Sequence, residues 1–316
     1  MQVRPINLPI NPLVAMLTVS LAFAGATVGT AAADVKLTDA GGRVVTISDT
    51  SRILSIGGDI TEIVYALGAG DRVVAVDATS TFPPQALEQR PSIGYMRALS
   101  TEGVLSVGAT LILASERCGP PEVVKALKST SLPYFEVRDE QSPGGIGDKV
   151  RTIAKAIGAE QAGEALVAKI EADFSALAVQ RAKVRRPIRA LFVLSVQNGR
   201  AVVGGRNTAA DVMLKLAGAK NVAADVIGFR PLSDEAIVEL APEVLVAMRR
   251  GSDNDNHDIA QIFSVKGIQS SPAGANKRLI MMEGQYLLGF GPRAPAAARE
   301  LMTALYPDLK AAAVTK

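Results

Sequence analysis

Between Ala159 and Val184 the chain reads AEQAGEALVAKIEADFSALAVQRAKV, with one glycine, no proline and no strand-like run. Leu166, Ile170, Phe174 and Leu177 recur at helical spacing, with Glu, Lys and Asp between them. The stretch predicts one helix of about 24 residues, about 36 Å long at 1.5 Å per residue. Arg185-Arg186-Pro187 ends it. No other part of the chain shows such a run, and it separates two segments that share a different rhythm.

That rhythm is strand, helix, strand. Lys36–Leu37 and Val44–Ile47 read as edge strands. After them come RILSI (52–56), a helix at 59–68 capped by Asp59 and closed by Gly68, and the strand RVVAVD (72–77). A helix at 101–109, the buried strand TLILAS (110–115), a helix at 120–130, the strand LPYFEV (132–137) and a helix at 145–158 follow. Beyond the long helix the series resumes with a strand at 188–194, helices at 208–218 and 234–241, and a strand at 244–248. Such alternation predicts parallel sheets covered by helices.

The two segments also echo each other. LSTEGVLSVGATLILA (99–114) and LSDEAIVELAPEVLVA (232–247) align without gaps, and LGAGDRV (67–73) has a weaker counterpart in LAGAKNV (216–222). The expected fold class is therefore α/β, with two Rossmann-like lobes joined by a single long helix and a ligand cleft between them. The bounds read as a leader at 1–33, an N-terminal lobe at 34–158, the connecting helix at 159–184 and a C-terminal lobe at 185–316.

The leader is an apolar run from Leu13 that turns rich in small residues and closes on Ala31-Ala32-Ala33. It reads as a secretory signal peptide cut before Asp34. A membrane anchor is the competing reading, since the run is long enough to span, but its Ala/Gly/Thr-rich half argues against that. Export predicts a periplasmic protein. Of the formal charge of +3, cleavage removes only Arg4, leaving +2. A charge so near zero argues for no nucleic-acid partner.

Several chemistries are disfavoured by inventory. One cysteine, Cys118, allows no internal disulfide and no paired-cysteine metal site. His257 is the single histidine, so neither a histidine-based triad nor a site of several imidazoles is available. In GSDNDNHD (251–258) it reads as a polar surface loop, with a weak cation or auxiliary ligand role left open. No glycine cluster follows a dinucleotide or Walker spacing, and tryptophan is absent. A binding protein is expected rather than an enzyme.

Of the five tyrosines, Tyr65, Tyr134 and Tyr306 sit on regular apolar elements and read as packing. Tyr286 and Tyr95 lie in glycine-bounded irregular segments. Tyr95, in GYMRALSTEG (94–103), precedes the repeated helix, near the sheet end where open α/β folds bind ligands. Its phenol could pack, donate a hydrogen bond, or bind ferric iron as phenolate. Free tyrosine has a pKa of about 10, so the last role needs the iron itself and a neighbouring cation such as Arg97. The residues alone leave both packing and ligation open.

GDITEIVYALGAGDRVVAVDATSTFPP (58–84), IGYMRALSTEGVLSVGATLILA (93–114) and LLGFGPRAP (287–295) resemble the periplasmic haem-binding proteins of bacterial haem ABC importers. The first segment is shared with cobalamin and siderophore receptors; the other two are more specific to the haem branch. The resemblance implies haem b as transported ligand, with Tyr95 on its iron and Arg97 hydrogen-bonded to the tyrosine oxygen. It implies a second arginine from the other lobe, matched to Arg250 with Arg249 as the neighbouring choice. LLGF and Met96 would face the porphyrin. It also implies docking of Glu102 and Glu235 on an inner-membrane ABC permease with its ATPase. Surface charge for the arginines and helix-dipole support for the glutamates are the plainer roles. His257 matches no ligand motif. A monomer is expected, with an outer-membrane haem receptor system upstream. The competing expectations are a siderophore or cobalamin receptor and, in another class, a periplasmic haem chaperone or enzyme lacking a permease.

Overall fold

A computed structural model describes residues 1–2, 34–249 and 255–308, so nearly all of the leader expected at 1–33 lies outside the described residues. In the N-terminal half the expected edge strands pair with each other. β1 (Val35–Thr38) and β2 (Val44–Ile47) form an antiparallel hairpin with Val35 opposite Ile47. β3 (Ile53–Ile56), α1 (Gly58–Ala66), β4 (Val73–Val76), α2 (Gln85–Gln89), α3 (Thr101–Leu105), β5 (Leu111–Ser115), α4 (Pro121–Lys128), β6 (Tyr134–Val137) and α5 (Pro143–Ile157) follow. The four strands after the hairpin make one parallel sheet in the order β4-β3-β5-β6. β3 and β5 are buried along their whole length, as a parallel sheet covered on both faces requires. Ile53, Leu111 and Leu113 pack with α1 and α5, while Leu54, Ile56, Ile112 and Ala114 pack with Val104 of α3 and Leu127 of α4.

α1 corrects one expectation. Asp59 is not its cap: Gly57 holds that position without a side-chain bond. Asp59 sits in the first turn, buried, and its carboxylate pairs with Lys149 of α5.

The mid-chain helix α6 spans Glu160–Arg181. Val167, Ile170 and Leu177 are buried along it, and Leu166 and Phe174 half-buried. They belong to one apolar cluster that also takes in Ile53 and Ile63 on one side and Ala190, Phe192 and Val246 on the other. The helix is thus a shared wall of both halves. From Asp34 onward the described residues form one compact unit.

The C-terminal half contains β7 (Arg189–Gln197), β8 (Arg200–Gly204), α7 (Ala209–Leu216), β9 (Lys220–Asn221), β10 (Phe229–Pro231), α8 (Asp234–Leu240), β11 (Val244–Arg249), α9 (Asp255–Ser264), α10 (Lys266–Gln269), α11 (Pro272–Ala275), β12 (Leu279–Glu283), α12 (Gly284–Leu288) and α13 (Ala294–Leu305). Its sheet runs β10-β8-β7-β11-β12, with β9 against β7. Here the expectation of purely parallel sheets is corrected. β7, β11 and β12 are parallel, but β8 and β10 add antiparallel strands. The reversal is made at Asn198-Gly199, both with positive φ (51° and 74°), the Asn-Gly signature of a tight hairpin.

The sequence echo is also a structural one. Ser100 caps α3 by accepting from the Gly103 N–H at 3.1 Å, and Ser233 caps α8 by accepting from the Ala236 N–H at 3.3 Å. From 100 to 107 and from 233 to 240, exposed, half-buried and buried positions alternate in the same order. β5 and β11 then begin at equivalent positions.

Candidate functional site

A cavity of about 840 Å³ opens between the two sheets, where Ser115 ends β5, Arg249 ends β11 and Glu283 ends β12. It lies at the carboxyl ends of the strands, where open α/β folds take their ligands. One wall carries Tyr95, Met96, Arg97 and Arg117; the other carries Leu194, Phe229, Met248, Arg249 and Leu288. Gly58 forms part of the floor. A Cβ there would stand 2.2 Å from the Thr79 carbonyl oxygen and 2.6 Å from Gln285 Cδ, so only glycine lets the lobes approach at this point.

The loop carrying Tyr95 is tied on both sides. The Gly94 carbonyl accepts from Ala78 N at 2.8 Å, Met96 O accepts from Gly119 N at 3.0 Å, and Leu99 N donates to Gly119 O at 3.0 Å. Between these anchors Tyr95 O and Ala98 N close a turn at 2.8 Å. Gly94 enters it at φ +88°, a conformation that favours glycine. Met96 points inward and is buried, whereas Tyr95 keeps 45% of its surface exposed. Its phenol oxygen accepts a hydrogen bond from Arg97 Nη1. The Arg97 guanidinium carbon lies 5.7 Å from the ring centre.

The carboxylates that line the cavity are already engaged. The Asp59 carboxylate is paired with Lys149, whose Nζ also meets Asp139 at 2.6 Å. Burial pulls Lys149 down, but the two carboxylates outweigh it and hold the ammonium above the ordinary lysine range. Asp139 in turn binds Arg117 Nε at 2.9 Å. Glu283 accepts from the N–H groups of Gln285 and Tyr286 at 2.9 and 2.6 Å. Among the described residues, no three His, Cys, Asp or Glu side chains gather to hold a bare metal ion.

The sequence-predicted residues are not all brought together. Tyr95, Arg97 and Met96 line the cleft. Arg249 lines it from the other lobe, while Arg250 and the side chain of His257 lie outside the described residues. Of LLGF, Leu288 and Gly289 line the cavity, whereas Leu287 and Phe290 are 1% exposed and face the core. Glu102 and Glu235 are exposed in the first turns of α3 and α8 and do not line the cavity. Glu235 is held below the ordinary glutamate range by its own backbone N–H and by the Ser233 hydroxyl.

Two groups were not singled out from the sequence. Arg117 lines the cavity, and Arg293 joins the lobes. Arg293 donates from its backbone N and its Nε to the two Glu62 oxygens at 2.8 and 2.9 Å. Its guanidinium carbon stacks 3.7 Å from the Phe82 ring centre and 5.0 Å from that of Tyr286. The pair is 231 residues apart in the chain, so no spacing signal marks it.

Among described residues, no helix is long and apolar enough to cross a membrane. Comparison with known proteins finds the same architecture. The periplasmic haem-binding protein RhuT from Roseiflexus sp. RS-1 superposes with a TM-score of 0.78 at 37% identity, over 83% of this chain and 100% of that one. A periplasmic haem-binding protein from Pseudomonas aeruginosa gives 0.75 at 32% identity, over 81% and 93%. An uncharacterised ABC transporter substrate-binding lipoprotein of Bacillus subtilis, YvrC, is 28% identical across 87% of this chain and 86% of its own. Residues 53–286 match the periplasmic binding protein family, and the chain belongs to it.

Proposed function

We propose that this chain is the exported receptor of a haem ABC importer, taking up haem b and delivering it to an inner-membrane permease with its ATPase. The observation that carries the reading is the exposed Tyr95 oxygen in an interlobe cavity, with Arg97 donating to it. Tyrosine oxygen is a suitable axial ligand for ferric haem, and the Arg97 guanidinium sits on that oxygen. Leu194, Phe229, Met248 and Leu288 offer apolar surface to a flat macrocycle, while Met96 is turned into the core. Arg249 on the facing wall suits a propionate, with Arg250 the neighbouring choice. The structural relatives named for haem binding support the same cargo.

In this reading the signal peptide at 1–33 directs export, the lobes at 34–158 and 185–316 hold the cargo as a monomer, and the helix at 159–184 fixes their spacing. An outer-membrane haem receptor would supply the cargo. Glu102 and Glu235, one on each lobe, would dock on the permease.

The test is titration of the purified protein with hemin. A high-spin ferric spectrum with tyrosinate character, lost in Tyr95→Ala, is expected. A siderophore or cobalamin receptor would give no such spectrum, and unchanged ligation in Tyr95→Ala would overturn the assignment.

A further inference from the structure

The glutamates are not the only surface feature the lobes repeat. Leu105 follows Glu102 by three residues, and Val238 follows Glu235 by three, so each aliphatic side chain lies one turn along the same helical face. Leu105 is 41% exposed and Val238 46%, two of the few large apolar side chains on the surface among the described residues. A single exposed leucine means nothing. Two at matched positions of a diverged repeat are different. Between 100–107 and 233–240 only the serine and the glutamate are identical. The aliphatic pair Val104 and Ile237 is kept in the core, and Val107 and Leu240 are half-buried. Leu105 and Val238 have no such packing reason to stay aliphatic.

The geometry points to a composite docking element on each lobe, with the glutamate taking a cation and the aliphatic side chain one turn on sealing it from water. This rests on the docking reading above. The partner this display fits is a permease built of two identical subunits. Each presents an arginine or lysine beside a shallow apolar pocket, because the same chemistry is displayed twice, once per lobe. An exposed ion pair contributes little in water and is screened by salt. Excluding water beside it strengthens the attraction, and the aliphatic neighbour supplies that exclusion.

The experiment measures binding of the hemin-loaded protein to its cognate permease–ATPase complex in nanodiscs, with the Soret band and thermal melt recorded on the same samples. Leu105→Ser and Val238→Ser remove exposed methyl groups and leave no cavity, so folding and hemin binding stay unchanged. Each is expected to weaken docking roughly fivefold, and the double variant roughly twentyfold or more. Docking by the double variant should also become more salt-sensitive than that of the wild type. Docking within twofold of wild type for Leu105→Ser/Val238→Ser overturns the inference. If Glu102→Gln/Glu235→Gln abolishes docking in the same assay, the glutamate reading survives that loss. If that glutamate double variant docks normally, the docking reading falls with it. A large effect at only one of the two aliphatic positions overturns the two-fold partner.

Discussion

The stretches just ahead of the repeated helix differ sharply between the lobes. In the N-terminal lobe Gly94-Tyr95-Met96-Arg97 forms a turn that holds a phenol in the cleft. The aligned residues of the C-terminal lobe, Ile227-Gly228-Phe229-Arg230, run into β10, which pairs antiparallel with β8. There Arg230 donates to the carbonyl of its own neighbour Phe229 at 3.1 Å, and no phenol stands beside it. Immediately afterwards the lobes agree again in cap, burial and exposed glutamate. The outward unit is kept twice, whereas the segment before it reaches the cavity in both lobes but carries a phenol in only one. That division is expected where a partner is two-fold and a cargo is not.

The strongest way to break this comparison is charge reversal at the repeated glutamates. Glu102→Lys and Glu235→Lys should each cut hemin-dependent uptake by a similar factor, and together abolish it, with the Soret spectrum unchanged. Uptake that tolerates one reversal and not the other would show that the partner reads the lobes differently.

The next effect lies where the lobes meet. Burial raises the Glu62 carboxyl above the ordinary glutamate range, and the Arg293 guanidinium opposes that shift. Arg293→Met should leave a buried carboxylate unpaired, costing about 3 kcal/mol at neutral pH and lowering the melting temperature by about 6–9 °C. Glu62 then rises further, so the folded state binds its proton more tightly than the unfolded state. Its stabilising contribution is full below the ordinary glutamate pKa of about 4.3 and is lost as pH rises through the folded value. Denaturation of Arg293→Met across pH 4–8 should show stability falling with pH more steeply than in the wild type. Glu62→Gln added to that variant should flatten the slope. A pH-independent deficit would assign the cost to packing over Phe82 and Tyr286 instead.

How much of this was legible depends on chain distance. α6 shows itself because Leu166, Ile170, Phe174 and Leu177 repeat every turn, and β3 and β5 because strands buried on both faces are mostly apolar, each with a single serine. β10 is three residues long, mostly exposed and ended by Pro231, so it carries neither period. The Asn198-Gly199 hairpin did carry a local signal, weaker than the apolar run beside it. At the site, Tyr95 and Arg97 are two residues apart and readable together. Asp59 was assigned as a cap because local reading cannot see Lys149, 90 residues on. Arg293 and Glu62 were missed for the same reason.

A smaller effect sharpens the contrast between the aligned arginines. Arg97→Gln keeps a donor near Tyr95 but removes the positive charge beside its oxygen, so hemin affinity should fall roughly tenfold, about 1.4 kcal/mol. The ligand-to-metal charge-transfer band should shift. Arg230→Gln, on an exposed strand edge, should leave both unchanged. Equal losses at the two positions would mean that Arg230 also acts on the cargo.

The smallest effect tests how the inward segment is held. Nothing lies within 4 Å of a Cβ placed on Gly94, so Gly94→Ala meets no clash, only the strain of φ +88°. That conformation costs an alanine about 1 kcal/mol relative to glycine. The cheapest relief is to relax the turn between the Gly94 carbonyl's bond to Ala78 and the Met96 carbonyl's bond to Gly119. Tyr95 is the side chain that would move. Gly94→Ala should therefore lower hemin affinity about fivefold while the melting temperature drops by only two or three degrees. Gly228→Ala, also at positive φ (72°) with open space around it, carries the same strain in the other lobe. It should lower the melting temperature to a similar degree but cost less affinity than Gly94→Ala, because Gly228 itself aligns with Tyr95 and its turn carries no phenol.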